Sequence, residues 1–180
     1  MRLFIGIPLS SEVIHALDRL SRSLRSSSDG LRWSSSDTWH ITLQFLGETP
    51  PAIYGCAVAR LGEIRSAAVP VWLRGTGVFD RAGVFFADVC VSPELHTLQQ
   101  QVVAATSQCG FTAEDRPYPP HVTVARAKPG DRGRFLGSLK HAANSDAEFP
   151  AFTAHEFLLY ESFLARDGAH HEIRNRFSLA

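Results

Sequence analysis

An α+β fold of two related lobes is the architecture this sequence predicts, and three observations predict it. Strand-like and helix-like stretches follow one another in the order strand, helix, strand, helix, strand, and that order occurs twice. Phe4 and Phe85, His15 and His96, Leu17 and Leu98, His40 and His121, and Thr42 and Thr123 are each 81 positions apart. The stretches WHITLQFL (39–46) and PHVTVAR (120–126) share one pattern, histidine, apolar, threonine, apolar.

The elements follow in order. LFIGIPL (3–9) is a strand candidate, and Ser10 or Ser11 caps a helix over about 11–26 whose apolar positions Val13, Ile14 and Leu17 have helical spacing. A serine-rich turn leads into a strand at 40–46 that Gly47 ends. A helix over about 51–66 and a strand region at 69–79 complete the first unit. VFFADVCV (84–91) opens the second, and Ser92 with Pro93 starts a helix over about 93–108 carrying Leu95, Leu98, Val102 and Val103. The strand at 121–126, ended by Pro129 and Gly130, a helix over about 132–144 and a strand region at 150–164 follow.

Length and charge bound the function. The 180 residues suffice for one domain, 1–180, whose two lobes share a core. Eighteen basic residues balance eighteen acidic ones, which argues against coating long nucleic acid yet permits a local basic groove for a short or terminal segment. Cys56, Cys90 and Cys109 are odd in number, widely spaced and without a CxxC pair, so the expectation is three buried thiols in a reducing cytoplasm. The first residues are too short a run for a membrane span and read as a strand.

In a strand, residues i and i+2 share a face, so His40 with Thr42 and His121 with Thr123 each present an imidazole beside a hydroxyl. If the halves are related by an approximate two-fold axis, the pairs face each other across a central cleft. That arrangement suits in-line displacement at phosphorus, where the attacking and departing oxygens lie on opposite sides and each needs its own proton-transfer group. Histidine serves both roles near neutrality, and the hydroxyls bind non-bridging oxygens as charge shifts. No carboxylate cluster or close His/Cys spacing suggests a metal, and no cofactor is expected. A single His-x-Thr is ordinary strand composition; two at equivalent points of a repeat are hard to ascribe to strand preference.

These two strands resemble the His-x-Thr-hydrophobic signature of the 2H phosphoesterase superfamily. RLFIGIPL at the start, RWSSSDTWHITLQFLGE (32–48), RPYPPHVTVARAK (116–128) and FLLYESFLARDGAHHEI (157–173) resemble successive landmarks of the bacterial and archaeal RNA 2′,3′-cyclic phosphodiesterases, a family also called 2′-5′ RNA ligase. The resemblance implies a bilobal fold with two antiparallel sheets lining a V-shaped cleft, helices outside. It implies hydrolysis of a terminal RNA 2′,3′-cyclic phosphate to a 2′-phosphate, with His40 as proton donor to the 3′ leaving oxygen and His121 as the base that activates water. Implied too are Phe45 stacking on the terminal nucleotide and Arg126 contacting phosphate or nucleotide. Simple alternation opposes both, because an odd offset from each histidine puts them on the core face with Ile41 and Val122. A twist, bulge or strand end that turns Arg126 outward would resolve the cost of burying it.

Gln44 and His171 depart from the family pattern, where a basic residue and a tyrosine are usual, and are expected to alter substrate contacts. A metal site at His170–His171 is disfavoured because adjacent strand residues point to opposite faces. His15, His96, His141 and His155 have no partner pattern. Arg126, Lys128, Arg132, Arg134 and Lys140 form a candidate electrostatic path for RNA, against the default of solvated charges. Trp33, Trp39 and Trp72 are candidate stacking residues, with packing the safer reading for Trp39. The expected partner is RNA with a terminal 2′,3′-cyclic phosphate, tRNA-derived fragments among the candidates, met by a monomer away from membranes. Other cyclic phosphates, ligase-like activity and a turnover-free RNA-end binder stay open.

Overall fold

The computed structural model describes residues 1–25, 30–112, 119–127, 140, 143, 146–165 and 168–180. The expected helix over 132–144 and the Pro129–Gly130 strand end lie wholly or largely outside them. The chain forms β1 (Arg2–Pro8), α1 (Ser11–Leu24), β2 (Leu31–Trp33), a 3₁₀ turn (Ser36–Thr38), β3 (His40–Glu48), α2 (Pro51–Gly62), β4 (Val69–Val71), β5 (Leu73–Phe79), β6 (Val84–Val89), α3 (Pro93–Ser107), β7 (His121–Ala127), β8 (Phe152–Ala154), β9 (Glu156–Ala165) and β10 (Gly168–Ser178). Ser10 Oγ accepts from Val13 N–H and Ser92 Oγ from Leu95 N–H, so both caps rest on side-chain oxygens satisfying first-turn donors.

Two four-stranded antiparallel sheets carry the architecture, in the orders β10-β9-β1-β3 and β2-β7-β6-β5, with a small β4-β8 pair beside them. Within them, β9-β1-β3 and β5-β6-β7 are the same arrangement with the third strands exchanged: β9 of the second half joins β1 and β3 of the first, and β5 of the first half joins β6 and β7 of the second. The first sheet adds β10 beyond β9 and the second adds β2 beyond β7, while among the described residues the outer side of β5 meets only the Arg74–Glu148 bridge. One core cluster takes Ile5, Ile7, Ile41 and Leu43 from the first sheet, Phe85, Ala87, Val122 and Val124 from the second, and Leu17, Leu61, Leu95 and Leu98 from the helices. Burial of such side chains, at roughly 1.5–3 kcal/mol each, is what holds the two sheets together.

The register corrects the uniform 81-residue repeat. Phe4 faces Phe45 across β1–β3 while Val84 faces Arg126 across β6–β7, so Val84, not Phe85, takes the place of Phe4, and the first strands are offset by 80. The helix caps Ser10 and Ser92 are offset by 82. The histidine strands keep 81, as do the fully buried Leu17 and Leu98, while turns absorb the single-residue shifts at the caps and first strands. Leu31–Trp33, read as part of a turn region, instead pairs with Ala125–Ala127; three residues are too few to show a period.

The cysteines overturn their expectation. Cys56 of α2 and Cys109, just beyond α3, form a disulfide across 53 residues, leaving Cys90 as the free thiol. Packing of α2 against α3 brings the two together, a proximity that sequence spacing cannot reveal. Closing such a loop stabilises by about 4 kcal/mol in the chain-entropy limit.

Candidate active site

Residues in β3 and β7 alternate as expected for three positions and then break step in the same way. Ile41 and Leu43 are buried, but so is Gln44; Val122 and Val124 are buried, and so is Ala125. The cause is a bulge in each strand. Ile5 faces Gln44 and Gly6 faces Thr42, leaving Leu43 as the extra residue; Phe85 faces Ala125 and Phe86 faces Thr123, leaving Val124. After each bulge the phase reverses. Phe45 is therefore 61% exposed and lies with His40 and Thr42 in the cleft wall, and Arg126 lies there with His121 and Thr123. The same reversal turns Gln44 inward, where its Oε1 accepts from Thr106 Oγ1 of α3 at 2.7 Å. Gln44 thus faces the core and is absent from the cleft lining.

The histidines are held alike. His40 Nδ1 lies 2.7 Å from the Thr38 carbonyl and His121 Nδ1 lies 2.8 Å from the Pro119 carbonyl. A carbonyl only accepts, so each Nδ1 carries the hydrogen, and in the neutral ring Nε2 carries the lone pair. His40 Nε2 is 3.0 Å from Thr42 Oγ1. The 3₁₀ turn delivers one orienting carbonyl, and the Pro119–Pro120 pair, restricted to extended backbone, delivers the other. Trp39, immediately before His40, is buried and packs in the core.

Their surroundings differ. Phe4, Tyr160 and His171 stand 4.5, 5.7 and 5.4 Å from the His40 ring centroid, and the glycine at position 6 makes room for it. A Cβ at Gly6 would meet the Ile41 carbonyl oxygen at 2.8 Å and His40 Cδ2 at 3.3 Å. In the second sheet Phe86 occupies the place of Gly6; it stacks on Phe79, and these rings stand 5.6 and 5.0 Å from His121. Burial pushes His40 down to about 4; the Thr38 carbonyl opposes this, and the positive charges of His171, His121 and Arg126 add to it. His121 is also lowered, by burial first and then Arg126, with the Pro119 carbonyl and Asp88 opposing. Burial likewise lowers Arg126.

Both half-sites line one cleft of about 730 Å³ between the sheets. Arg2, Arg32 and Trp33 join Arg126 in its wall. The sequence reading missed Arg2, Arg32 and Phe4; Arg32 faces Arg126 across the β2–β7 pair, which only the tertiary pairing reveals. Of the expected basic path, Lys140 is paired with Asp80 at 2.7 Å, and Lys128, Arg132 and Arg134 lie outside the described residues. Trp72 is exposed, away from the cleft lining. His15, His96 and His155 are exposed, and His141 lies outside the described residues. Among the described residues no three His, Cys, Asp or Glu side chains converge to hold a metal ion.

Residues 10–162 match the family model described as the 2′-5′ RNA ligase superfamily. An RNA 2′,3′-cyclic phosphodiesterase of Geobacillus stearothermophilus is 32% identical over 167 residues, covering 88% of this chain and 51% of the relative, so the chain spans about half of that protein's length. One from Aeropyrum pernix is 29% identical over 160 residues, covering 87% of this chain and 90% of the relative. Among solved structures, Escherichia coli LigT complexed with 3′-AMP superposes with a TM-score of 0.81 at 23% identity, over 99% of this chain and 97% of LigT. A Thermus thermophilus protein, TT0787, superposes with a TM-score of 0.79 at 26% identity, over 99% of this chain and 97% of its own.

Proposed function

This chain belongs to the 2′-5′ RNA ligase superfamily, and from that premise we propose that it hydrolyses a terminal RNA 2′,3′-cyclic phosphate to a 2′-phosphomonoester. The carrying observation is the pair of His-x-Thr half-sites in one cleft, each histidine fixed through Nδ1 so that Nε2 is its working atom. His121 Nε2 takes a proton from water as the oxygen attacks phosphorus, and His40 Nε2–H gives one to the departing 3′ oxygen. Thr42 and Thr123 donate to the non-bridging oxygens, Phe45 stacks on the terminal base, and Arg126 neutralises phosphate charge.

The donor role must be reconciled with a His40 that sits near 4 in the free protein. An anionic phosphate about 4 Å away, at an effective dielectric constant of about 20, attracts a unit charge by roughly 4 kcal/mol, equivalent to about 3 pK units. Substrate binding thereby charges the acid, moving His40 to about neutrality. In the free protein only a small fraction holds His40 charged and His121 neutral together. The profile of kcat/KM is then a bell whose acid limb lies near 4 and tracks His40. Its alkaline limb lies below 6.5 and tracks His121.

The proposal includes one domain over residues 1–180, a monomeric state, RNA ends such as those of tRNA fragments as substrate, and residence in the cytoplasm. The Cys56–Cys109 bridge presses against the last of these, since reducing compartments disfavour disulfides. No described helix is long and apolar enough to cross a membrane. Incubation with EDTA and an RNA ending in a 2′,3′-cyclic phosphate, with identification of the product end, tests the activity. A 2′-phosphate product that disappears in His40→Ala and in His121→Ala is expected; activity abolished by EDTA, or persisting in both variants, overturns the reading.

A further inference from the structure

The strand β10, added to the first sheet beyond β9, brings a third histidine to the cleft. His171 lies opposite Ser162 of β9 and lines the cavity. Its ring meets His40 edge-on, with centroids 5.4 Å apart at 82°. Both rings rest on Phe4, at 4.9 and 4.5 Å, and Tyr160 stacks on Phe4 at 4.8 Å. Among the described residues the β5 edge carries only the Arg74–Glu148 bridge in the place of β10, and no histidine equivalent to His171 stands beside His121.

Two-histidine chemistry does not use His171. It is half-buried, and its Nδ1 is enclosed and reaches no partner with hydrogen-bond geometry, although the His170 carbonyl lies close enough to favour a charged ring. The groups around it are His40 of β3, Tyr160 of β9, neighbouring His170, and Asp37 of the 3₁₀ turn. From the opposite sheet His121 and Arg126 act on His40. Burial lowers His171 as well, so near neutrality it is an uncharged donor able to become charged against an anion. The enclosed Nδ1 is out of a ligand's reach, so it is through Nε2 that this half-buried ring, on the wall of a cleft read as holding a phosphate, meets a ligand oxygen.

Resting on the function proposed above, we infer that His171 is a specificity-determining contact on the leaving-group side, donating an N–H to an oxygen of the terminal ribose–phosphate and adjusting the proton on His40. It binds; His40 and His121 move protons.

The test is steady-state kinetics of wild type, His171→Phe and His171→Gln on RNA ending in a 2′,3′-cyclic phosphate, from about pH 4 to 8. Phenylalanine keeps the ring on Phe4 and His40 but removes donor and charge. KM should rise about tenfold, kcat should stay within about threefold, and the His40-dependent limb should move to higher pH because a positive neighbour is gone. Glutamine should restore KM and leave the limb displaced. A phenylalanine variant with wild-type KM and an unmoved limb makes His171 a packing residue and overturns the inference. A kcat loss as deep as that of His40→Ala overturns it too, by placing His171 in proton transfer. Should the phenylalanine variant fail to fold, the glutamine variant and His171→Ala carry the comparison, alanine raising KM and glutamine not. Wild type inactive on this RNA would defeat the function instead, and binding of a nucleoside 2′-monophosphate to wild type and His171→Phe still reads the contact, equal affinities overturning it.

Discussion

The two half-sites share a skeleton and differ in what surrounds it. In each, a carbonyl two residues before the histidine takes the Nδ1 hydrogen, a threonine follows two residues later, and a bulge turns the fifth residue after the histidine into the cleft. Around His40 stand Phe4, Tyr160 and His171, with Gly6 beneath; around His121 stand Phe79 and Phe86. The two imidazoles are held alike, and Phe4, Tyr160 and, from the added strand β10, His171 make their surroundings unequal. Unequal burial gives the cleft two groups that answer differently to an arriving anion.

The largest expected effect removes the pair's members. His40→Ala and His121→Ala should each lower kcat by about 10²–10⁴, and the double variant should lose little more than the worse single one, since the two act as a unit. Additive losses would break the claim that the half-sites form one site.

Glycine substitutions sharpen the comparison next. Gly6→Ala presses a Cβ on the Ile41 carbonyl at 2.8 Å, a backbone atom that cannot swing away, and so shifts β1 against β3 beneath His40. Gly77→Ala meets the Phe86 ring tip at 2.6 Å, which can tilt. We expect Gly6→Ala to cost about 1–3 kcal/mol in thermal unfolding and to lower activity more than Gly77→Ala; the reverse order would mean that the Phe86–Phe79 stack, not the packing of His40, is the more sensitive support.

Much of this was legible in the chain, and what was not has physical causes. His40, Thr42, His121 and Thr123 could be placed together because the i, i+2 rule needs only a strand and a repeat. For Phe45, Arg126 and Gln44 that rule gives the wrong face, and only the resemblance and the cost of burying Arg126 pointed the first two at the cleft, since a bulge is a property of two paired strands: one extra residue at Leu43 and at Val124 exchanges the inner and outer faces beyond it. The two successive buried positions, Leu43–Gln44 and Val124–Ala125, do not announce this, because glutamine reads as an outward residue until Thr106 is seen to donate to it. The 81-residue spacing held where side chains are pinned and slipped in β6 and at the cap of α3, where a turn takes up one residue without cost to the core. Cys56 and Cys109 met only through helix packing.

A smaller effect is expected from the hydroxyls. Thr42→Val and Thr123→Val keep strand preference and packing but remove one donor each, which should lower kcat/KM by roughly tenfold to a hundredfold. Thr42→Val should show the larger loss, because Thr42 also holds His40 Nε2 at 3.0 Å; equal losses would say that this contact contributes nothing in turnover.

The central claim is that an anion in the cleft charges His40. Titration of the individual histidine resonances by NMR, with and without a nucleoside 2′-monophosphate, measures it directly. His40 should titrate near 4 in the free protein, and its midpoint should rise by about 2–3 units when the nucleotide binds. A His40 midpoint near 6.5 in the free protein, or one that the bound phosphate leaves unmoved, would contradict the account.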